Sequence, residues 1–283
     1  MQPSPEVADL DRRFGGLARL YGQLGAERIR SAHVVVVGIG GVGSWTAEAL
    51  ARSGVAALTL IDLDHVSESN INRQIHALSS TLGQAKIDAM RERIHQINPY
   101  CRVSCIDDFV EPGNWPQLAG RSLDADPLRP LAVVDACDQV KAKAALAAWA
   151  LQRLDVHFIS VGAAGGKRHA HRVEIEDLSL TTHDPLLAQL RYRLRKQGAA
   201  RQGAIGIACV FSREAVLQPG TAQAACELPN LAMKMVDAEG QASDGSLNCH
   251  GYGSVVSVTA TFGVCAAGWL LDKISLGLPK PRK

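Results

Sequence analysis

The hydrophobic positions of the chain form short apolar runs that alternate with segments of helical spacing. Five of these runs predict strands, at residues 34–37, 57–61, 102–106, 131–134 and 157–161. The segments around them predict helices, at residues 42–52, 83–97 and 141–154, and a further helix before the first strand that ends near Arg30. Strands that alternate with helices are typical of a parallel sheet with helices on both faces.

The pattern changes after residue 161. A glycine-rich stretch is followed by two apolar runs, at residues 172–175 and 206–211, which predict an antiparallel pair with a basic helix between them. The whole pattern predicts an α/β fold, a Rossmann-like doubly wound and mainly parallel sheet with a C-terminal antiparallel elaboration. Residues 1–30 are predicted to form an N-terminal arm and helix, and residues 31–283 a single domain, because no linker or internal repeat divides them.

A long apolar stretch covers residues 255–271. It contains Ser257, Thr259 and Gly263 and falls short of the ~20 strongly apolar residues of a membrane span. We therefore predict a buried helix and no stable membrane insertion.

Composition narrows the class of protein. With 47% hydrophobic residues the chain can bury a sizeable core, and its net charge of +2 means that any nucleic-acid contact must come from a local patch. The seven cysteines include no Cys-x-x-Cys pair, which argues against a disulfide framework and against a structural zinc site. Together with an N-terminus that lacks a secretory signal, this favours the cytoplasm.

The first predicted strand runs into a glycine-rich turn. Gly38, Gly40 and Gly43 have the spacing in which one glycine makes the turn, one lets the backbone approach a phosphate and one lets the helix pack on the strand. The amide groups at the start of the next helix would then face an anion. This predicts a nucleotide site, although a merely tight strand–helix turn is the alternative and the motif does not choose between NAD, FAD and ATP.

Charged residues after the next strands favour a triphosphate. Asp62 ends the second strand, where a carboxylate can accept hydrogen bonds from ribose hydroxyls. Arg73 and Lys86 follow at positions from which both can reach phosphates, each bond contributing roughly 1.5–3 kcal/mol. Asp138, after the fourth strand, is a candidate Mg²⁺ ligand. Alternatively, Lys86 lies on a solvated helix face and Arg73 caps a loop; an NAD enzyme would leave both unexplained.

These motifs together resemble a known superfamily. They are Gly38-Ile39-Gly40-Gly41-Val42-Gly43-Ser44, Asp62-x-Asp64, Ser69-Asn70-x-Asn72-Arg73-Gln74, Lys86 and Asp135-x-x-Asp138. In order and spacing they are similar to the ThiF/MoeB/HesA superfamily of ATP-dependent adenylating enzymes, which is related to ubiquitin activators. Within it, the chain most resembles the tRNA threonylcarbamoyladenosine dehydratases, through residues 13–16, 18–22, 72–78, 96–99, 107–110, 143–146, 209–212 and 258–263.

The resemblance implies ATP and Mg²⁺ as cofactors, with Asp138 on the metal and Arg73, Lys86 and Asp138 as catalytic residues. The predicted nucleotide-binding set is Gly38, Gly40, Gly41, Gly43, Asp62, Asp64, Asn70, Asn72, Arg73, Gln74, Lys86 and Asp138. The resemblance also implies a homodimer. In relatives that activate ubiquitin-like carriers, an arginine from the N-terminal arm of the other subunit reaches the phosphates. The chain has glycines at the corresponding place, so Arg13 or Arg19 is the candidate substitute.

The activity implied is the ATP-dependent cyclisation of threonylcarbamoyladenosine in tRNA through an acyl-adenylate. The alternative is an adenylyltransferase for a ubiquitin-like sulfur carrier, which the missing Cys-x-x-Cys ligands disfavour. A third interpretation is a catalytically idle partner of a cysteine desulfurase and sulfur-acceptor system. Cys249 is a candidate persulfide or thioester site, with a buried small hydrophobe as the favoured alternative, and Cys137 is expected to be structural.

The tRNA contact is expected on the basic helix of the C-terminal part. Its candidate residues are Arg191, Tyr192, Arg193, Arg195 and Lys196. A run of positive charge can follow phosphates and a tyrosine can stack on a base, although a solvated helix face fits the same pattern. Lys167, Arg168, His169 and His171 are expected to add to the patch.

Overall fold

The computed structural model describes residues 8–115, 117–118, 132–217 and 252–278. The strands are β1 (His33–Val37), β2 (Ala57–Ile61), β3 (Arg102–Ile106), β4 (Ala132–Asp135), β5 (His157–Val161), β6 (Val173–Asp177) and β7 (Ala208–Ser212). The longer helices are α1 (Leu10–Phe14), α2 (Gly16–Arg30), α3 (Gly43–Arg52), α4 (Lys86–Ile97), α5 (Val140–Leu151), α6 (Pro185–Lys196) and α7 (Val256–Leu276). Short 3₁₀ segments lie at Glu68–Asn70, Ser79–Thr81 and Ala170–Arg172.

The strands form one sheet in the order β3-β2-β1-β4-β5-β7-β6. Every neighbouring pair is parallel except β6 and β7, which are antiparallel. β1 lies inside the sheet between β2 and β4, with all five residues buried, as its run of valines predicted. The predicted α/β class, the parallel core and the antiparallel elaboration are therefore confirmed.

Two predicted boundaries shift because of polar contacts. The helix expected from residue 83 begins at Lys86, since His65 forms an isolated bridge with Ala85 and the Lys86 amide donates to the Asp64 carbonyl. The strand expected to end at residue 134 includes Asp135, which pairs with Ser160 of β5. A strand thus delivers a carboxylate directly to the carboxyl end of the sheet.

Helix α7 packs against α3. A Cβ on Gly263 would lie 2.5 Å from the Val42 carbonyl oxygen, and the Thr46 hydroxyl donates to the Gly263 carbonyl at 3.1 Å. The predicted buried helix is confirmed and extends to Leu276. Among the residues that the structure describes, no helix is long and apolar enough to cross a membrane. The C-terminal helix is thus part of the support for the glycine-rich turn.

The N-terminal arm lies at the amino end of the sheet. Phe14 packs so closely on the turn before β2 that a Cβ on Gly54 would meet its ring at 2.8 Å. The guanidinium of Arg13 donates to the carbonyl of Ile97, the last residue of α4, at 2.7 Å. Within one subunit, α1 therefore faces away from the carboxyl ends of the strands.

Candidate functional site

The glycine-rich turn admits no side chain at two of its positions. Gly38 has a φ of +85°, and a Cβ there would lie 2.9 Å from the main chain of Ala136. A Cβ on Gly43 would lie 1.8 Å from the Gly38 carbonyl oxygen. Gly40 is more open, with Gln74 Nε2 4.0 Å from its Cβ position as the nearest atom. The turn brings the first amides of α3 to the carboxyl edge of the sheet, which is a cradle for an anion.

Asp62 fastens this turn from the end of β2. Its carboxylate accepts hydrogen bonds from the amides of Ile39 at 2.6 Å and of Asp64 at 2.9 Å. Burial raises the pKa of Asp62, and Lys86 partly opposes that rise. Each carboxylate oxygen has a second lone pair, so Asp62 can still accept a ribose hydroxyl while it holds the turn.

Lys86 begins α4 beside this carboxylate. Its ammonium donates to the Asp64 carboxylate at 2.6 Å, and its side chain is only 7% exposed whereas that of Asp64 is 59% exposed. The interpretation of Lys86 as part of a solvated helix face is therefore wrong. An ammonium held by one exposed carboxylate can exchange that partner for a phosphate oxygen.

Three separate segments position Arg73. Its carbonyl accepts hydrogen bonds from Trp45 Nε1 at 3.0 Å and from the Thr259 hydroxyl at 3.3 Å. Its half-buried guanidinium donates to the Ser69 carbonyl and to Asn72 Oδ1, and burial lowers its pKa. The guanidinium thus caps its own loop, as the alternative interpretation expected. The backbone of Arg73 is held by separate hydrogen bonds, so its position does not depend on that cap.

The other polar residues of this segment differ in role. Asn70 is buried and accepts a hydrogen bond from the Ser67 amide at 3.1 Å, so it shapes the turn. Asn72 is exposed and donates to the Ser254 carbonyl at 2.9 Å. Gln74 Oε1 and Ser44 Oγ are buried atoms without a hydrogen-bond partner in the described part of the chain. Buried polar atoms are rarely left unpaired, so these two fit a site completed by a polar ligand or water.

Asp138 lies half-buried between β4 and α5. No group of three or more His, Cys, Asp or Glu residues that could hold a metal ion occurs among the described residues. Mg²⁺ is usually held by one or two carboxylates together with substrate phosphates and water. One carboxylate at this edge therefore fits an ion that arrives with a nucleotide.

A buried ion pair that the sequence motifs did not predict lies at the end of β4, three residues before Asp138. Lys143 Nζ lies 2.9 Å from Asp135 Oδ2, and both side chains are fully buried. The signal in the sequence is an aspartate that ends a strand, followed eight residues later by the second of two lysines in a helix that is otherwise apolar. Cys137, which donates to Asp135, has a pKa raised well above its ordinary value by burial and then by Asp135, which favours the structural interpretation of this thiol.

The basic helix α6 exposes part of its predicted set. The Arg191 guanidinium donates to the carbonyls of Leu178 and Thr181 and to the Thr181 hydroxyl, which gives it a structural role. Arg195 is half-buried, whereas Tyr192, Arg193 and Lys196 are exposed, and Lys196 Nζ lies 5.8 Å from the centre of the Tyr192 ring. Tyr192, Arg193 and Lys196 are thus accessible, and the nucleic-acid contact at these three residues stays a prediction.

The expectation that Lys167 adds to this surface is wrong. Lys167 is 2% exposed, and its ammonium donates to the carbonyls of His183, Ser212 and Glu214. Arg168, His169 and His171 are exposed. Cys249, residues 1–7 and residues 279–283 lie outside the described residues.

Neither candidate arginine of the arm reaches the site of its own subunit. Helix α4 has 12 residues, so Ile97, which binds Arg13, lies about 16 Å from Lys86 along the helix axis. The Arg19 guanidinium folds back to 3.8 Å from the Cβ position of Gly16, at the same amino end of the sheet. Neither Arg13 nor Arg19 therefore contacts the glycine-rich turn of its own subunit.

His76 makes stability depend on pH. Its imidazole is 2% exposed with neither nitrogen hydrogen-bonded in the described structure, and burial, with Lys86 and Arg93, lowers its pKa from 6.5 to about 4. Between these values the unfolded chain binds a proton that the folded chain does not, so stability falls as the pH falls from 6.5 to 4. We expect His76→Phe to remove about 3 kcal/mol of that loss, measured by urea unfolding at pH 7 and pH 4. The control His95→Phe, at an exposed position, should lose as much unfolding free energy between pH 7 and pH 4 as the wild type does. An equal loss in His76→Phe and the wild type would contradict the role given to His76.

Comparison with known proteins gives one family. Residues 12–280 match the ThiF family. The tRNA threonylcarbamoyladenosine dehydratase of Escherichia coli (strain K12) is 45% identical over 267 residues, which cover 93% of each chain.

Solved structures agree with this match. The E. coli tRNA N6-threonylcarbamoyladenosine dehydratase in complex with ATP aligns with a TM-score of 0.77 and 40% identity over 96% of this chain and 97% of that one. Its complex with AMP aligns with a TM-score of 0.78 and 40% identity over 96% and 98% of the two chains. The similarity thus extends over nearly the whole length of both proteins.

Proposed function

The chain belongs to the ThiF family, and from this premise we propose that it catalyses the ATP-dependent dehydration of threonylcarbamoyladenosine in tRNA. The observation that carries the proposal is that Arg73 packs on the glycine-rich turn, with its Cγ 3.4 Å from the Cβ position of Gly41, while Lys86 acts on Asp62, which fastens the same turn. The chain is also 45% identical to a dehydratase of that specificity. An ATP complex and an AMP complex of that relative support a reaction that splits ATP at its α-phosphate.

In this proposal ATP lies across the carboxyl edge of the sheet. Asp62 accepts the ribose hydroxyls, and the amides at the start of α3 face the phosphates. Gly40 leaves the space for close approach, and the unpaired Gln74 and Ser44 oxygen atoms beside it gain partners from the ligand or its water. Arg73 and Lys86 neutralise the phosphate charge, Lys86 giving up its exposed partner Asp64 to do so.

Asp138 is proposed to hold the Mg²⁺ of the nucleotide. The fit rests on the donor set, because a single carboxylate suits an ion whose other ligands are phosphate oxygens and water. When bound, the ion supplies charge neutralisation on the departing pyrophosphate. The chain's own part is to keep one carboxylate at this position.

The substrate carboxylate attacks the α-phosphorus, its oxygen forms the new bond, and the bond to pyrophosphate breaks. A nucleophilic group of the same modified base then attacks the acyl carbon of the acyl-adenylate, and that group loses a proton as the ring bond forms. The bond from the acyl carbon to AMP breaks, and AMP keeps the former carboxylate oxygen, so the base has lost the elements of water. Because AMP is a good leaving group, the reaction needs no protein nucleophile. The residues at the site orient the reacting groups and stabilise negative charge.

The substrate tRNA is proposed to contact α6. We expect the double variant Arg193→Glu/Lys196→Glu to weaken tRNA binding by about tenfold or more and to lower the salt dependence of binding, because each lost phosphate contact reduces the slope by about one. Filter binding over a range of salt concentrations measures both effects. The matched control Arg91→Glu/Arg102→Glu makes the same change of charge on α4 and β3, at the opposite edge of the sheet from β6 and β7, which α6 connects. An equal loss in both variants would contradict a contact specific to α6.

The proposed assembly is a homodimer in the cytoplasm, where the tRNA is. The position of Arg13 and Arg19 supports a dimer in which the arm of one subunit completes the site of the other. A cysteine desulfurase and sulfur-acceptor system is a further proposed partner.

The decisive experiment is mass analysis of tRNA nucleosides, prepared without alkaline steps after incubation with ATP and Mg²⁺. We expect the threonylcarbamoyladenosine signal to lose the mass of one water, with release of AMP and pyrophosphate. Pyrophosphate exchange that requires a carrier ending in Gly-Gly and never responds to tRNA would replace this proposal with a sulfur-carrier adenylyltransferase. Retained binding of a desulfurase without any turnover would indicate a scaffold.

A further inference from the structure

The buried pair of Lys143 and Asp135 lies directly behind the nucleotide site. Asp135 is the last residue of β4, and its Oδ2 accepts hydrogen bonds from the Ser160 hydroxyl at 2.7 Å and from Lys143 Nζ at 2.9 Å. Its other oxygen accepts from the Cys137 thiol at 3.0 Å. The main-chain carbonyl of Asp135 lies 3.3 Å from the same ammonium. One lysine thus binds both the side chain and the backbone at the point where the strand ends.

The segment that follows the strand lies between the glycine-rich turn and the start of α5. The Ala136 amide donates to the Val37 carbonyl at 2.8 Å, and the main chain of Ala136 passes so close to Gly38 that a Cβ there would meet it at 2.9 Å. At the far end of the segment, the Lys143 amide donates to the Gln139 carbonyl at 2.9 Å. Residues 136–139, which include Asp138, are therefore held at both ends: Ala136 contacts β1 and the glycine-rich turn, and Gln139 binds the backbone of Lys143.

Stability alone does not account for such a pair. A buried ion pair gains little over an apolar pair of similar volume, whereas removal of one partner leaves a buried charge and costs about 3–5 kcal/mol. Burial lowers the pKa of Lys143, but Asp135, Cys137 and Cys209 together raise it by more, so its pKa lies above the ordinary value and the lysine stays charged. A charged pair at the end of β4 can instead fix the direction in which residues 136–139 leave the strand.

We propose that Lys143 and Asp135 are positioning residues that set the orientation of Asp138 toward the metal ion of bound Mg·ATP. The inference rests on the proposed function, since it takes Asp138 as the ligand of that ion. It adds to that function two buried residues that do not touch the substrate.

The test uses a variant that removes both charges together. In Asp135→Asn/Lys143→Met no unpaired charge is left, so the protein is expected to fold. Hydrogen exchange of the amides at residues 136–143 should become faster, while that of β1 should not change. Electron paramagnetic resonance should show Mn²⁺ binding about 10–100-fold more weakly in the presence of a non-hydrolysable ATP analogue. The affinity for the analogue without a divalent ion should stay within about threefold of wild type.

Two further variants keep the result interpretable. Ser160→Ala removes one hydrogen bond from Asp135 and leaves the ion pair, so it should weaken Mn²⁺ binding in the same direction by a smaller factor, and it carries the test if the double variant does not fold. Thr59→Val removes the buried contact to His33 Nε2, which measures 2.8 Å, in the same sheet. This control should lose stability without any change in Mn²⁺ binding.

Unchanged Mn²⁺ binding in Asp135→Asn/Lys143→Met, or in Ser160→Ala if the double variant does not fold, would overturn the inference. An equal loss of analogue affinity with and without Mn²⁺ would also overturn it, because a general distortion of the site predicts that result. None of these readouts needs turnover. A wild-type protein that fails to modify tRNA would therefore count against the proposed function and leave the inference to be judged by Mn²⁺ binding.

Discussion

Replacement of Arg73 by alanine is expected to lower the rate of AMP formation by a factor of about 10³, equivalent to about 4 kcal/mol of transition-state stabilisation. The guanidinium is the group proposed to neutralise phosphate charge as the bond to pyrophosphate breaks, and a half-buried donor is worth more there than in water. Single-turnover release of AMP at saturating ATP and tRNA measures the change.

The fold should tolerate this substitution. The Arg73 carbonyl is held by Trp45 and Thr259, and the alanine variant keeps both hydrogen bonds. Arg91→Ala, which removes an arginine paired with Asp88 on the surface of α4, serves as the matched control and should keep wild-type turnover. A rate for Arg73→Ala within tenfold of wild type would exclude a direct role for the guanidinium in the reaction.

Replacement of Gly43 by alanine should have the largest effect on folding. The new Cβ would lie 1.8 Å from the Gly38 carbonyl oxygen, so either the turn or the start of α3 must move. We expect a loss of at least about 3 kcal/mol of unfolding free energy, together with loss of ATP binding. Urea unfolding and calorimetric titration with ATP measure the two effects.

Two other glycines separate stability from binding. A Cβ on Gly40 meets only Gln74 Nε2 at 4.0 Å, so Gly40→Ala should keep its stability and lose ATP affinity, because the methyl group occupies the space left for the phosphates. Gly268 has no atom within 4 Å of its Cβ position, and Gly268→Ala in α7 should gain about 1 kcal/mol of stability from helix propensity. Equal stability of the Gly43 and Gly268 variants would contradict the packing described here.

The sequence predicted those features that depend on local pattern. The runs of β-branched residues identified the central strands, and the glycine spacing identified the turn. The contact that requires glycine at position 43 is with Gly38, within one strand–turn–helix unit, whereas the contact that requires it at position 38 comes from Ala136 after β4. Asp62, Arg73 and Lys86 all follow β2, and Asp138 follows β4. Because parallel strands end on the same side of a sheet, the sequence predicted one edge for all four residues.

Features that depend on distant partners could not be read in this way. Lys167 and Arg191 were interpreted as surface charge, yet their donors are satisfied by carbonyl groups of other loops. The partner of Lys143 is an aspartate that the sequence offers only as half of a motif. A basic residue in a sequence indicates a charge, and only the fold decides whether that charge meets solvent or a carbonyl.

The contact between Gly263 and Thr46 has a consequence for biosynthesis. These residues are 217 positions apart, and ribosomes add roughly 5–20 residues per second, so the first nucleotide-binding elements wait on the order of 10–40 s for the helix that supports them. During that interval the apolar face of α3 that α7 later covers has to be shielded by other means. A nascent chain halted before Val256 should therefore be held by chaperones and bind no ATP.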